Sequence, residues 1–177
     1  MDLWVFGYGS LLWNPGFVPV AAVTARLDGY HRSFCMLSIH HRGSEAEPGL
    51  VLALDEAVGA SCTGVAFQVA TDDQDCVLAD LRERELISSA YVERHVPLHL
   101  ADGRWIEALA YVIEPTHVQY CRFDLETQAQ MIARAQGGRG PNDEYLYNTA
   151  AHLAQMDIND PDMQWLVARV RDLTATA

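Results

Sequence analysis

Apolar residues run unbroken through Trp4-Val5-Phe6 and stop at Gly7-Tyr8-Gly9-Ser10, so the chain opens on a strand that ends in a glycine-flanked turn. Strand patterns recur over residues 25–37, 49–55 and 62–69, with a polar loop at 40–48 marked by Arg42-Gly43 and Pro48-Gly49. Periodicity then changes: a helix is predicted from Thr71, with Thr71 as its cap and Gln74 at capping-box spacing. Two further strands, Tyr91–Leu100 and Trp105–Ile113, flank Asp102-Gly103, a hairpin signal. Residues 125–135 and 144–156 have helical spacing on either side of Gly137-Gly138-Arg139-Gly140-Pro141, with Asn142 predicted as the second helix's N-cap. A last helix starts at Asp160-Pro161 and runs to about Leu173.

Strands, a helix, a hairpin and then helices describe an α+β chain whose mainly antiparallel sheet is expected to curl into a small barrel. The 177 residues fit a single domain spanning 1–177. A net charge of −12, with 12 Lys and Arg against 24 Asp and Glu, opposes binding to phosphate backbones and anionic lipid, so no nucleic-acid or membrane partner is expected. No apolar run reaches the ~20 residues of a membrane span. Cys35, Cys62, Cys76 and Cys121 lie far apart, and no basic or removable apolar segment precedes the first strand. Free, mostly buried thiols in a reducing cytoplasm are the expectation. Oligomeric state is left open, and a monomer is compatible with every feature above.

The Gly7–Gly9 turn is the first candidate for chemistry, because successive N–H groups in such a turn form a cradle for an anion or a carbonyl oxygen. An ordinary strand end has the same pattern. A dinucleotide fingerprint fails, since Leu12 stands where its third glycine belongs and Asn14-Pro15-Gly16 breaks the helix it would open. A hydrolase elbow fails because Ser10 directly follows Gly9 and precedes two leucines.

In the helix after Thr71, Val77, Leu78 and Leu81 define the apolar face; at about 100° per residue Glu85 falls within it and Glu83 nearly opposite. Burial and the helix C-terminal dipole both push a carboxyl at Glu85 towards the range useful for proton transfer. If the helix stops at Arg84, Glu85 instead turns to solvent. His95 and His99 lie in a strand pattern, where four residues span about 13 Å, too far for one metal ion. Arg32, Arg42 and Arg139 lie near loops and are read as surface partners more than as ligands.

Five pieces in order resemble the ChaC-like, glutathione-specific γ-glutamylcyclotransferases: residues 5–11 (Val-Phe-Gly-Tyr-Gly-Ser-Leu), 30–35 (Tyr-His-Arg-Ser-Phe-Cys), His41-Arg42-Gly43 with Pro48-Gly49-Leu50, Arg84-Glu85 with Ala90-Tyr91, and 140–146 (Gly-Pro-Asn-Asp-Glu-Tyr-Leu). The resemblance implies a γ-glutamylcyclotransferase-like fold, a small mixed barrel with flanking helices. It also implies a lyase activity on glutathione, giving 5-oxoproline and Cys-Gly, with neither metal nor organic cofactor. By the same resemblance the loop of Val5, Phe6, Gly7, Tyr8, Gly9, Ser10 and Leu11 holds the γ-glutamyl group. The catalytic glutamate of the family lies in an Arg-Glu pair before a tyrosine, so Arg82-Glu83 and Arg84-Glu85 both qualify. The longer form, six residues before Tyr91, selects Glu85 as general base and acid. Ser88-Ser89 departs from the family, which has at least one glycine there. Tyr145 is a candidate either for a substrate hydrogen bond or for a buried structural tyrosine. Alternatives on the same residues are a cyclotransferase for other γ-glutamyl amino acids or γ-glutamylamines, and a non-catalytic γ-glutamyl-binding module.

Overall fold

Alternation along β1 (Leu3–Gly7) decides both of its faces: Trp4 and Phe6 join one buried cluster and Val5 another. The computed structural model describes residues 2–86 and 90–175. After β1 come a short helical turn α1 (Ser10–Trp13), the long strands β2 (Ala21–Ser38) and β3 (Gly49–Val69), a 3₁₀ turn at Thr71–Asp73, and α2 (Gln74–Leu86). They are followed by β4 (Tyr91–Leu100), β5 (Trp105–Ile113), α3 (Leu125–Arg134), the two-residue strands β6 (Gln136–Gly137) and β7 (Gly140–Pro141), α4 (Asn142–Gln155) and α5 (Pro161–Ala175). These residues gather into two compact units: residues up to Ser33 with Ala53–His117, and Phe34–Leu52 with residues from Val118 onward.

The first unit holds a closed barrel of strand order β1-β3-β2-β4-β5. β1 runs antiparallel to β3, from Leu3↔Val69 to Gly7↔Val65, and parallel to β5 at Val5↔Leu109; β4 pairs antiparallel with both β2 and β5. The expected α+β class with a mixed, mainly antiparallel barrel is the architecture found. Alternate residues fill one cluster: Trp4, Phe6 and Tyr8, then Val96, Leu98 and Leu100, then Ala108, Ala110 and Val112. Val5, Val69 and Tyr111 form the opposite face and are covered by Leu11 and by Val77 and Leu81 of α2. Barrel and helix therefore share β1 and β5, which are buried on both sides from Trp4 and from Ala108 onward.

Three expected boundaries change. Residues 49–55 and 62–69 belong to one strand, β3, because the Glu-Ala-Val-Gly-Ala-Ser stretch between them is a largely exposed continuation of the same strand that Gly59, at φ +83°, allows to bend. Thr71 is not a cap: the 3₁₀ turn opens after Ala70, whose carbonyl accepts from the Asp73 N–H at 2.9 Å, and Thr71 lies inside it. The Gly137–Pro141 breaker forms the small β6–β7 ladder. The Ser88-Ser89 turn lies outside the described residues.

In the second unit α3, α4 and α5 pack together and bury Ile132, Leu146, Leu153, Leu166 and Val170. Asp160 caps α5, its Oδ1 accepting from the Met163 N–H at 3.1 Å. Asn142 does not cap α4; it is the first residue of that helix, and its amide is turned onto Leu50. Asn142 Oδ1 accepts from the Leu50 N–H and Nδ2 donates to the Leu50 carbonyl, both at 2.9 Å and with no exposure of Asn142. A primary amide copies one rung of a β-ladder here, and Gly49 leaves room for it, since a Cβ there would come within 2.8 Å of Asn142 Oδ1. Asn142→Ala leaves two buried backbone groups unpaired and is expected to cost about 3 kcal/mol. The check is a urea titration: the midpoint should fall with an unchanged slope.

All four cysteines are free thiols; Cys35, Cys62 and Cys121 are buried and Cys76 is exposed. No helix among the described residues is long and apolar enough to cross a membrane.

Candidate active site

β1 ends where the backbone has almost no room. A Cβ on Gly7 would meet the Phe67 ring at 2.9 Å and the Leu12 nitrogen at 3.2 Å, and a Cβ on Gly64 would strike the Gly7 carbonyl oxygen. Glycine at both positions lets the strand turn tightly into α1, where the Leu12 N–H donates to the Gly9 carbonyl and the Asn14 N–H to that of Ser10, each at 2.9 Å. Tyr8 is held at both ends. Its hydroxyl donates to the Tyr111 carbonyl at 3.1 Å, and its own carbonyl accepts from Arg32 Nε at 2.7 Å. Arg32 Nη2 also donates to the Thr63 carbonyl. The expectation of Arg32 as a surface partner is thus corrected: it is 5% exposed and anchors the loop from below.

Val5, Phe6 and Leu11 bury their side chains in the two clusters, so this segment offers a ligand backbone groups there rather than side chains. Ser10 is the exposed member.

Helix α2 runs on through Leu86, which places Glu85 in its last turn on the same side as buried Val77 and Leu81. The Glu85 side chain is 15% exposed, whereas Glu83 faces solvent. Burial raises the Glu85 carboxyl above the usual carboxylate range, and the Arg84 guanidinium, 3.8 Å away at Nε, draws it part of the way back. Arg84 also reaches the loop: Nη1 donates to the Asn14 carbonyl at 3.0 Å and Nη2 to Ser10 Oγ at 3.4 Å. The two pieces singled out in the sequence, the glycine turn and the core-facing carboxylate, therefore meet through one arginine.

Three further residues lacked a local signal. Tyr111 of β5 donates its hydroxyl to Glu93 Oε1 of β4 at 2.9 Å, and Arg82 grips both Glu93 oxygens at 3.1 Å. Burial, the Glu93 bond and the nearby charge of Glu85 all raise the Tyr111 phenol, so it stays a neutral donor. Arg82 and its contact with Tyr111 hold Glu93 below the usual range against its partial burial. The two carboxyls are thereby shifted in opposite directions, Glu93 down and Glu85 up. Alternation puts Glu93 and Tyr111 opposite one another in the β4–β5 register, but only the closed barrel brings them beside α2.

Tyr145 belongs to the second unit. Its phenolic oxygen accepts from the Leu52 N–H at 3.1 Å, its ring meets Phe34 edge-on at 6.1 Å, and the Arg42 guanidinium lies 5.7 Å above it. His95 pairs with Glu107 at 3.2 Å and the His99 ring lies on Trp105 at 4.8 Å, so the two histidines face different partners.

A family model described as ChaC-like protein matches residues 3–173 of this chain. The chain is 35% identical over 177 residues to a protein of Escherichia coli K12 named glutathione-specific gamma-glutamylcyclotransferase, covering 98% of this chain and 74% of that one. It is 31% identical over 180 residues to gamma-glutamylcyclotransferase 2-3 of Arabidopsis thaliana, covering 98% and 90%. The crystal structure of a γ-glutamyl cyclotransferase specific to glutathione from yeast superposes with a TM-score of 0.83 at 23% identity, over 98% of this chain and all of that one, which shows a shared fold.

Proposed function

The chain belongs to the ChaC-like protein family, and from that premise we propose that it is a glutathione-specific γ-glutamylcyclotransferase acting as one domain over residues 1–177. A single family match spanning both compact units supports the single domain. The observation that carries the activity is the mostly buried Glu85 carboxylate, raised in pKa and tied through Arg84 to the glycine-flanked loop.

The reaction is intramolecular. The substrate α-amine attacks its own γ-carbonyl carbon, a C–N bond closes the five-membered lactam, and the amide bond to cysteine breaks. The α-ammonium must lose one proton to become a nucleophile and a second as its nitrogen becomes the lactam N–H; the departing cysteinyl nitrogen gains one as its amide bond breaks and takes up the other on release as an ammonium. Glu85 removes a proton from the attacking nitrogen as general base and delivers one to the departing nitrogen as general acid, a role for which a carboxyl of raised pKa is suited. The Gly7–Leu11 backbone grips the γ-glutamyl group, and holding that flexible arm in an attack-ready fold supplies the entropic part of the acceleration. No step of this scheme calls for a metal or an organic cofactor. A binding module gains nothing from a buried negative charge beside an anionic ligand, which favours the enzyme over a sensor. The four free thiols support a reducing, cytoplasmic setting.

The test is direct: the purified protein is incubated with reduced glutathione, and 5-oxoproline and Cys-Gly are quantified. Equimolar release of both is expected, with far slower turnover of γ-glutamyl-alanine and γ-glutamyl-lysine. Preference for either of those two peptides, or no lactam from any of the three, overturns the reading.

A further inference from the structure

The guanidinium of Arg84 faces two ways, towards the turn after β1 and towards Glu85. Two of its nitrogens donate to the Ser10–Asn14 turn, at 3.4 Å to the Ser10 hydroxyl and 3.0 Å to the Asn14 carbonyl, while Nε lies 3.8 Å from the Glu85 carboxylate. The approach is built in. Gly16 turns the chain at φ +83° beside Nη1. Arg84 borders a small open cavity lined also by Pro15, Gly16, Phe17, Val77, Asp80 and Leu81. Side chains of α2 and the turn after β1 thus flank a planar cation that remains 35% exposed and whose donors are set at fixed angles.

We propose that Arg84 is the positioning residue of this site: its fork holds the substrate-gripping loop and the Glu85 carboxylate in one geometry, so that the group that binds and the group that moves the proton act on the same molecule. The inference rests on the γ-glutamylcyclotransferase reading. A rigid fork suits the task because two hydrogen bonds and an ion pair from one planar group fix both distance and angle, which a lysine ammonium on a flexible stem does not. The same cation favours the ionised form of Glu85 against burial. The groups around Glu85 are Arg84 and Arg82 on α2, Tyr111 on β5 and, through the Tyr111 hydroxyl, Glu93 on β4. Arg82 is spent on Glu93, so the loss of Arg84 leaves burial unopposed.

The experiment measures kcat, KM and the pH profile of kcat/KM for Arg84→Met and Arg84→Lys with glutathione, beside thermal midpoints. Arg84→Met should lower kcat by about 10- to 100-fold, the scale of a small misplacement of reacting groups. Its acidic limb should move to higher pH, by at least about half a unit, because a carboxyl without its cation holds the proton longer. Arg84→Lys should return the limb towards its wild-type position, since the charge is back, while kcat stays low because the fork is not. A pH limb that does not move in Arg84→Met, or full recovery of kcat in Arg84→Lys, overturns the proposal. A wild-type protein that releases no 5-oxoproline instead overturns the functional reading on which it stands. Should Arg84→Met not fold, the lysine variant alone decides: wild-type kcat refutes the fork.

Discussion

Glu85→Gln should fold as the wild-type chain does and release 5-oxoproline about 10³-fold more slowly, the scale expected when a general acid–base group is removed. The substitution keeps shape and hydrogen-bonding capacity and deletes only the titrating proton. Its effect on stability has the opposite sign. A carboxyl raised by burial binds its proton more tightly in the folded chain than in the unfolded one. The stability it contributes is present below the ordinary glutamate range and lost as pH rises through the raised value. At neutral pH the ionised side chain is therefore a cost that glutamine removes, so the thermal midpoint should hold or rise while activity collapses. Glu83→Gln, one helical position pair away and on the solvent face, should stay within about twofold of wild type in rate and stability. Paired assays of lactam release and thermal unfolding on the two variants decide the assignment. Equal rates for Glu85→Gln and wild type would remove Glu85 from the mechanism.

The second large effect is expected at Arg32. Arg32→Met retains most of the buried stem but leaves the Tyr8 and Thr63 carbonyls without this donor. A buried acceptor stripped of its partner costs about 1–3 kcal/mol; because the Tyr8 carbonyl is buried while that of Thr63 is part-buried and still accepts from Cys62 Sγ at 3.9 Å, about 2 kcal/mol is expected. Activity should fall too, because the Tyr8 carbonyl lies within the loop that grips the substrate, while the Tyr8 hydroxyl bond to Tyr111 keeps the ring in place. Arg32→Lys can reach one carbonyl and not both, and should fall between the two. Denaturant midpoints and kcat/KM on the three proteins check this. An unaltered midpoint for the methionine variant would show that the buried guanidinium does not support the loop.

Much of the barrel was legible because its signals are local. Trp4, Phe6 and Tyr8, like Val96, Leu98 and Leu100, show their common face through a period of two that the extended backbone imposes. The phase of α2 assigned Glu85 to the apolar side for the same kind of reason, and continuation of the helix to Leu86 keeps it there. Where local rules competed, they misplaced elements. β3 was hidden as one strand because its middle is exposed and carries no apolar alternation. Asn142 has the composition of a helix cap and the position of one, yet Leu50, 92 residues earlier, offers two unpaired backbone groups that a cap does not satisfy.

The amino-acid order alone determined most of the elements, the class of the barrel, and the two ends of the candidate site, a glycine turn and a carboxylate on an apolar helix face. Each of these follows from the geometry of a few consecutive residues. Tertiary structure decided which polar groups became partners: Arg32 under the Tyr8 loop, Arg82 and Tyr111 on Glu93, and Arg84 between Ser10 and Glu85. Ser10 and Arg84 are 74 residues apart. No repeat or spacing marks such a pair, because a hydrogen bond depends on distance in space, and for residues so far apart only the closed barrel sets that distance.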